Sequence, residues 1–419
     1  MTALTLYRAS QVFPVIAAPL ADGAVVVERG RILAVGAAAA LGGRYPSARV
    51  VDLGARALLP AAVNAHTHLE LSGLSGAIPP GTPFADWVMA LVRARRHLTF
   101  ADYARVAADG IAQLRASGTA AVGEICTFGA SARPLVESGL RGILYFELLG
   151  VDPAQAPALL EHGQRQIATW QAEFAGAPVR FGLSLHTPYT VSAELFRLAS
   201  AWCAEEGVPL CIHAAESPAE TQWLRDATGP ITDVLYAGAG WPIDPARAPG
   251  CSPMRYLERL GALAARPLLA HGVQVEGDDL ALLAAHEATV VHCPRSNARL
   301  LCGRLPYAAY RAAGVRLALG TDSLASAPTL SLWDEAAAAH AAHTAVGEAP
   351  DPGELLRLAT LDGARALGVE DELGSLEAGK RAELACAALF PLGERERTDP
   401  QQVLRALVDG RLNVERLVD

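Results

Sequence analysis

Through the middle of the chain, short and almost wholly apolar runs alternate with longer amphipathic, Ala-rich stretches. Eight such runs read as strands: LPAAVNAHTH (59–68), TAAVGEIC (119–126), GILYFELLG (142–150), VRFGLSLH (179–186), VPLCIHAAE (208–216), PLLAHGV (267–273), ATVVHCP (288–294) and VRLALGTD (315–322). Helical segments stand between them, for example VSAELFRLASAWCAEEG between the fourth and the fifth. Strands that are apolar without alternation are buried on both faces, as in a parallel sheet covered by helices. Eight β/α units in about 300 residues predict an α/β chain folded as a (β/α)₈ TIM barrel. A doubly wound open sheet is the alternative, but no glycine-rich dinucleotide turn follows any strand.

The two ends of the chain have another texture. GAVVVERG, RILAVG and ARVVDL near the start, and AELACAAL and QVLRALVDGRLNVERLV near the end, read as short strand-like pieces with turn residues between them. They predict a small β-sandwich built from both termini, with 1–57 and 368–419 flanking a hydrolase barrel at 58–367.

Most of the eight runs end in a titratable residue: His66 and His68, His186, His213 with Glu216 just beyond, His271, His292 and Asp322. The C-terminal ends of parallel barrel strands form one rim, where active sites sit, so residues far apart in sequence converge. His66 and His68, spaced i, i+2, lie on one side of a strand. With His213 and Asp322 they supply three nitrogens and one carboxylate to a metal ion and leave room for a water. Glu216, three residues past His213, stands beside such an ion without binding it. His271 precedes Gly272, a place where the chain must come close to something. Lys380 is the only lysine and lies outside the barrel segment, so a two-metal site bridged by a carboxylated lysine is excluded and one metal ion is expected.

Composition adds exclusions. The chain has 419 residues, is 51% hydrophobic and carries a formal net charge of -9, with Lys and Arg scattered, which argues against nucleic acid as a partner. Seven cysteines without a C-x-x-C pair imply neither a disulfide framework nor a cysteine zinc site. The N-terminus lacks signal-peptide features, and no run of about twenty apolar residues predicts a membrane span. A cytoplasmic enzyme acting on a small molecule is the expectation, with pairing into a homodimer open.

The segments LLPAAVNAHTHLE (58–70), LHTPYTVS (185–192), HAAES (213–217), AHG (270–272), HCPRSNARL (292–300), LGTDSLAS (319–326) and GSLEAGKRAEL (374–384) resemble the amidohydrolase superfamily, in particular its mononuclear deaminase branch. Ala61 replaces a usual glycine and Ala382-Glu383 a usual Ala-Asp, neither at an expected ligand. Within the branch, NAHTHLELS (64–72), FADWV (84–88) and ESPAETQWL (216–224) are similar to aminodeoxyfutalosine deaminases. Deaminases of methylthioadenosine and S-adenosylhomocysteine carry a ribose-gripping glutamate soon after a tryptophan, whereas here Trp87 is followed by VMALVRARRHLTF, without an acid.

The resemblance implies hydrolytic deamination of an amino-substituted nitrogen heterocycle, such as aminodeoxyfutalosine or a related adenine nucleoside, with ammonia released. His66, His68, His213 and Asp322 would hold one divalent metal ion, Zn²⁺ first and Fe²⁺ second, since these ligands discriminate weakly between the two. Glu216, His271 and Asp322 are the expected catalytic groups, with Glu216 moving protons. Glu70, Trp87, His186, Arg295, Ser296 and Asn297 are the expected substrate contacts, and Arg93 and Arg96 are further partners for a substrate carboxylate. Opening of a cyclic amide, displacement of halide from a triazine, or a non-catalytic barrel are the competing expectations.

Overall fold

The computed structural model describes residues 4–242 and 248–417. Two compact units are present, one of Met1–Ala65, Ala112–Ala121 and Ser331–Asp419, the other of His66–Ile111 and Val122–Leu330. The first carries a seven-stranded sheet in the order β15-β14-β5-β1-β2-β3, with β4 also paired to β1. Its strands come from both ends of the chain: β1 Thr5–Val12, β2 Leu20–Glu28, β3 Arg31–Ala37, β4 Arg49–Asp52, β5 Arg56–Pro60, β14 Leu384–Ala388 and β15 Val414–Arg416. Val12, Val25 and Leu58 are among the residues at its dry centre, each with no exposed surface.

Eight strands in simple sequential order make the second sheet, from β6 to β13. They are β6 Ala62–Thr67, β7 Thr119–Cys126, β8 Arg141–Leu148, β9 Val179–Leu185, β10 Leu210–Ala214, β11 Leu268–His271, β12 Thr289–His292 and β13 Arg316–Leu319. The pairings from β8 through β13 are parallel. Every residue of β6 and β7 is buried, which is why these strands read as unbroken apolar runs. The barrel closes where a parallel bridge joins Thr67 to Asp322. Across this seam the amides of Thr321 and Asp322 donate to the His66 carbonyl at 3.0 and 3.1 Å, and His68 N donates to the Asp322 carbonyl at 3.2 Å.

Two expectations are corrected. The run 59–68 is not one strand: Leu59 and Pro60 end β5, which pairs antiparallel with β14, and only Ala62–Thr67 belongs to the barrel. The chain changes partners at Ala61, whose amide donates to Glu383 O at 2.9 Å, while Ala62 N donates to Gly118 O at 2.8 Å. The strand-like reading of QVLRALVDGRLNVERLV fails over its first half, where Pro400–Val408 is a helix. Asp399 caps it by accepting from Gln401 N, Pro400 stands at its first position, and Val403, Leu404, Leu407 and Val408 repeat at helical spacing on its buried side. By contrast, Ser192 caps Ala193–Glu206 and Gly207, at φ 65°, ends it, as its sequence predicts.

Gly272, just past β11, has φ 57°, and a Cβ there would meet Tyr310 Oη and Val290 Cγ1 at 2.6 Å each. The Gly272→Ala substitution therefore combines left-handed strain with overpacking, at a cost of about 2–4 kcal/mol. Chemical denaturation should show a clearly lowered midpoint, and an unchanged midpoint would contradict the tight approach.

Candidate active site

Two strand ends, of β6 and β10, and the turn after a third strand, β13, bring His66, His68, His213 and Asp322 together, all buried. His68 Nε2 faces His213 Nε2 at 3.1 Å, and Asp322 Oδ1 lies 3.7 Å from His66 Nε2 and 3.5 Å from His68 Nε2. The His66 ring centroid is 4.9 Å from each of the other two. Burial lowers all three imidazoles, His68 to about 4, so they are neutral donors of lone pairs. His213 Nδ1 lies 2.9 Å from the His186 carbonyl, which can only accept, so Nδ1 carries the proton and Nε2 is free to ligate. Asp322 Oδ2 accepts from the hydroxyls of Ser296 and Ser326, both at 2.6 Å, which turns Oδ1 toward the histidines. Three neutral nitrogens and one carboxylate oxygen converging on a point fit a single divalent metal ion.

The backbone is bent to achieve this. Ala215, His271 and Asp322 all have positive φ, at 54°, 77° and 56°. Such non-glycine conformations cluster where the surrounding structure over-determines them for function. Glu220 supports the first by accepting from Ala215 N at 2.9 Å and Glu216 N at 2.8 Å, while Ser217 Oγ accepts from Glu220 N at 3.2 Å. The Ser217-x-x-Glu220 spacing is the capping-box pattern, but Glu220 reaches past the Ser217 amide to the two amides before it.

Glu216 Oε1 lies 3.6 Å from His271 Nε2. Burial pushes the Glu216 carboxyl up to about 7, against the pull of His271. Burial drives His271 down, but Glu216, Asp322, Asn297 and Glu220 together outweigh it and raise its pKa. Asn297 Oδ1 holds His271 Nδ1 at 3.0 Å. Loss of that anchor in Asn297→Ala should lower kcat by about 10–100-fold, with metal content unchanged, as read from steady-state rates beside elemental analysis. Full activity would show that His271 needs no such support.

The amidohydrolase family model matches residues 57–412. The chain belongs to the amidohydrolase family. Among curated relatives, it is 38% identical over 352 residues to an aminodeoxyfutalosine deaminase of Deinococcus radiodurans, covering 83% of this chain and 81% of that one. A 5-methylthioadenosine/S-adenosylhomocysteine deaminase of Symbiobacterium thermophilum is 32% identical over 382 residues, covering 87% and 80%. Among solved structures, a zinc-bound adenosine deaminase of Xanthomonas campestris superposes with a TM-score of 0.78 at 28% identity, over 96% of this chain and 88% of the other. Helicobacter pylori aminofutalosine deaminase with methylthio-coformycin shares the fold, with a TM-score of 0.82 at 23% identity, over 99% and 100%. This amidohydrolase is thus a hydrolase of carbon–nitrogen bonds other than peptide bonds.

A cavity of about 390 Å³ in this amidohydrolase is lined in part by His68, His213 and Asp322. Trp87, His186, Glu216 and His271 line it, as does Arg96, whereas Glu70, Arg93, Arg295, Ser296 and Asn297 do not. Those last residues lie outside the lining of this cavity, and all but Arg93 engage other partners. The Glu70 carboxylate accepts from the amides of Thr127, Phe128, Ala130 and Ser131 at 2.7–3.3 Å, so it clamps the loop after β7. Arg295 donates to the hydroxyl and carbonyl of Thr329, both at 2.8 Å. Ser296 donates to Asp322, and Asn297 Oδ1 faces His271 Nδ1. Sequence reasoning missed Glu147, Thr127 and Arg95, which line the cavity, and Glu124, which holds Leu69 N at 2.9 Å beside His68. Lys380 is engaged by Ser375 Oγ at 2.6 Å and Glu377 at 2.9 Å. All seven cysteines are free thiols, and no helix among the described residues is long and apolar enough to cross a membrane.

Proposed function

We propose that this amidohydrolase deaminates an adenine-type nucleoside by hydrolysis, with aminodeoxyfutalosine as the first substrate to test and zinc as the metal, Fe²⁺ as the alternative. The observation that carries the reading is the convergence of Glu216, His271 and Asp322 on the histidine cluster at the floor of one cavity. The 38% identity to a relative named as an aminodeoxyfutalosine deaminase supports the substrate, and the zinc in the adenosine deaminase structure supports the metal.

His66, His68, His213 and Asp322 would hold the ion, which when bound supplies Lewis acidity that brings a water's pKa toward neutrality. Every other task falls to side chains. Asp322 Oδ1 and His271 Nε2 aim the attacking water at the ring carbon that bears the amine. Glu216 accepts a proton from that water and delivers it to the adjacent ring nitrogen, so negative charge does not accumulate there. A carboxyl poised at about 7 serves both directions of that transfer near neutral pH. The ring carbon gains oxygen, its bond to the amine breaks, and the amine leaves as ammonia with a proton from Glu216 or Asp322. Apolar walls from Leu71, Phe84, Val88 and Leu300 exclude bulk water.

The test is ammonia release from metal-replete protein against aminodeoxyfutalosine, adenosine, methylthioadenosine, S-adenosylhomocysteine, adenine, guanine and cytosine. Turnover of an adenine nucleoside supports the reading. Silence across the panel with metal bound would overturn deamination and direct the search to cyclic amides and ring halides.

A further inference from the structure

Two residues that line the cavity carry a buried polar atom with no hydrogen-bond partner among the described residues: Trp87 at Nε1 and Glu147 at Oε1. Glu147 is the more telling, because an unpaired carboxylate oxygen is costly to bury and this residue is only 7% exposed. Its neighbour Phe146 faces outward, packing edge-on against Trp170 at 5.6 Å and His162 at 5.3 Å, so strand alternation turns Glu147 inward. Oε2 is held by the Thr127 hydroxyl at 2.8 Å, and Thr127 N is held in turn by Glu70 at 3.0 Å. One oxygen is thus fixed and the other has no hydrogen-bond partner among the described residues.

A second cation does not explain it. Glu147, His186 and His213 have potential ligand atoms within 4.8 Å of one another. However, His213 spends Nδ1 on the His186 carbonyl and directs Nε2 at His68, which leaves only two ligands for another ion. A hydrogen-bond donor from a bound molecule is what the geometry lacks.

Position decides which donor. Glu216, His271 and Asp322 sit on the β10, β11 and β13 side, whereas Glu147 ends β8, with β9 and β10 between it and β11. A ring whose amine-bearing carbon faces the first group turns its opposite edge toward the second. An adenine-type ring has no N–H on that edge, only lone pairs and C–H groups, but its sugar is attached there and brings hydroxyls. We propose that Glu147 Oε1 accepts a hydrogen bond from a ribose hydroxyl of the bound nucleoside and so sets a preference for ribonucleosides over deoxynucleosides. The acid comes from a barrel strand, in a chain whose Trp87 segment offers none. This deepens the deaminase reading and rests on it.

The experiment compares adenosine, 2′-deoxyadenosine and 3′-deoxyadenosine as substrates of the metal-replete wild type, Glu147→Gln and Glu147→Asp, with metal content measured for each. For the wild type, kcat/KM for at least one deoxy analogue should fall about 10–100-fold below that for adenosine, through KM, as expected for a lost hydrogen bond to a charged group. Glu147→Gln should bring adenosine down to the level of that analogue and leave the analogue and the metal content unchanged. Glu147→Asp, which withdraws the charge by one methylene, should fall between. Equal turnover of all three substrates by the wild type overturns the contact and leaves deamination standing. A Glu147→Gln variant that slows all three alike, or loses metal, also overturns it, by assigning Glu147 a structural task. If the wild type turns over none of the three, aminodeoxyfutalosine decides between the readings: its turnover leaves deamination standing and overturns the sugar contact to adenosine, and its silence overturns both.

Discussion

Glu216→Gln should retain its metal and lose about 10²–10⁴-fold in kcat. The substitution keeps the size and shape of the side chain, so the walls around it stay in place. What it removes is a group that can take and return a proton: burial pushes the carboxyl up to about 7, whereas an amide does not titrate. Glu216 is not among the residues grouped around a possible ion, so elemental analysis should find the variant as loaded as the wild type. Ammonia release then isolates proton transfer from metal binding. Near-normal turnover by a metal-loaded variant would move the proton shuttle to His271 or Asp322.

Chelation should abolish activity entirely, and one equivalent of a divalent metal per chain should restore it. The ion would draw on His68 Nε2 and His213 Nε2, which face each other at 3.1 Å, and on Asp322 Oδ1, 3.5 Å from His68 Nε2. Binding to the folded state alone also stabilises it, by about 4 kcal/mol when metal is at a thousand times its dissociation constant. Calorimetry of stripped protein should therefore show a thermal midpoint lowered by several degrees, recovered on adding back metal. Activity that survives exhaustive chelation would refute the assignment of this cluster.

The barrel and the histidine–aspartate cluster were legible for one reason: each residue of the cluster lies at or near the C-terminal end of an apolar run, and a parallel barrel sends all such ends to the same rim. His66, His68, His213, His271 and Asp322 could be collected without knowing a single contact. Glu147 was hidden by the same apolar burial that revealed the strand. In GILYFELLG both faces are buried, so the two-residue alternation that would have shown which way it points is lost. Glu70 looked like a ligand contact because it neighbours His68, yet its neighbours in space are four loop amides supplied by another β/α unit. Such contacts depend on how a loop folds back, which periodicity does not encode. The helix Pro400–Val408 was misread since its style was inferred from the terminal strands around it, while its Asp-Pro start was in plain view.

The seam of the barrel has a bearing on how the molecule is made. Thr67 and Asp322, which meet there, are 255 positions apart, and His66 and His68 stand beside them at the first edge of the sheet. On a ribosome the first two histidines emerge long before the aspartate that completes their set. Closing so long a loop is entropically among the last acts of folding. An ion held by all four groups thus cannot be captured by a chain that stops short of Asp322, and its capture would mark the moment at which the ring has closed.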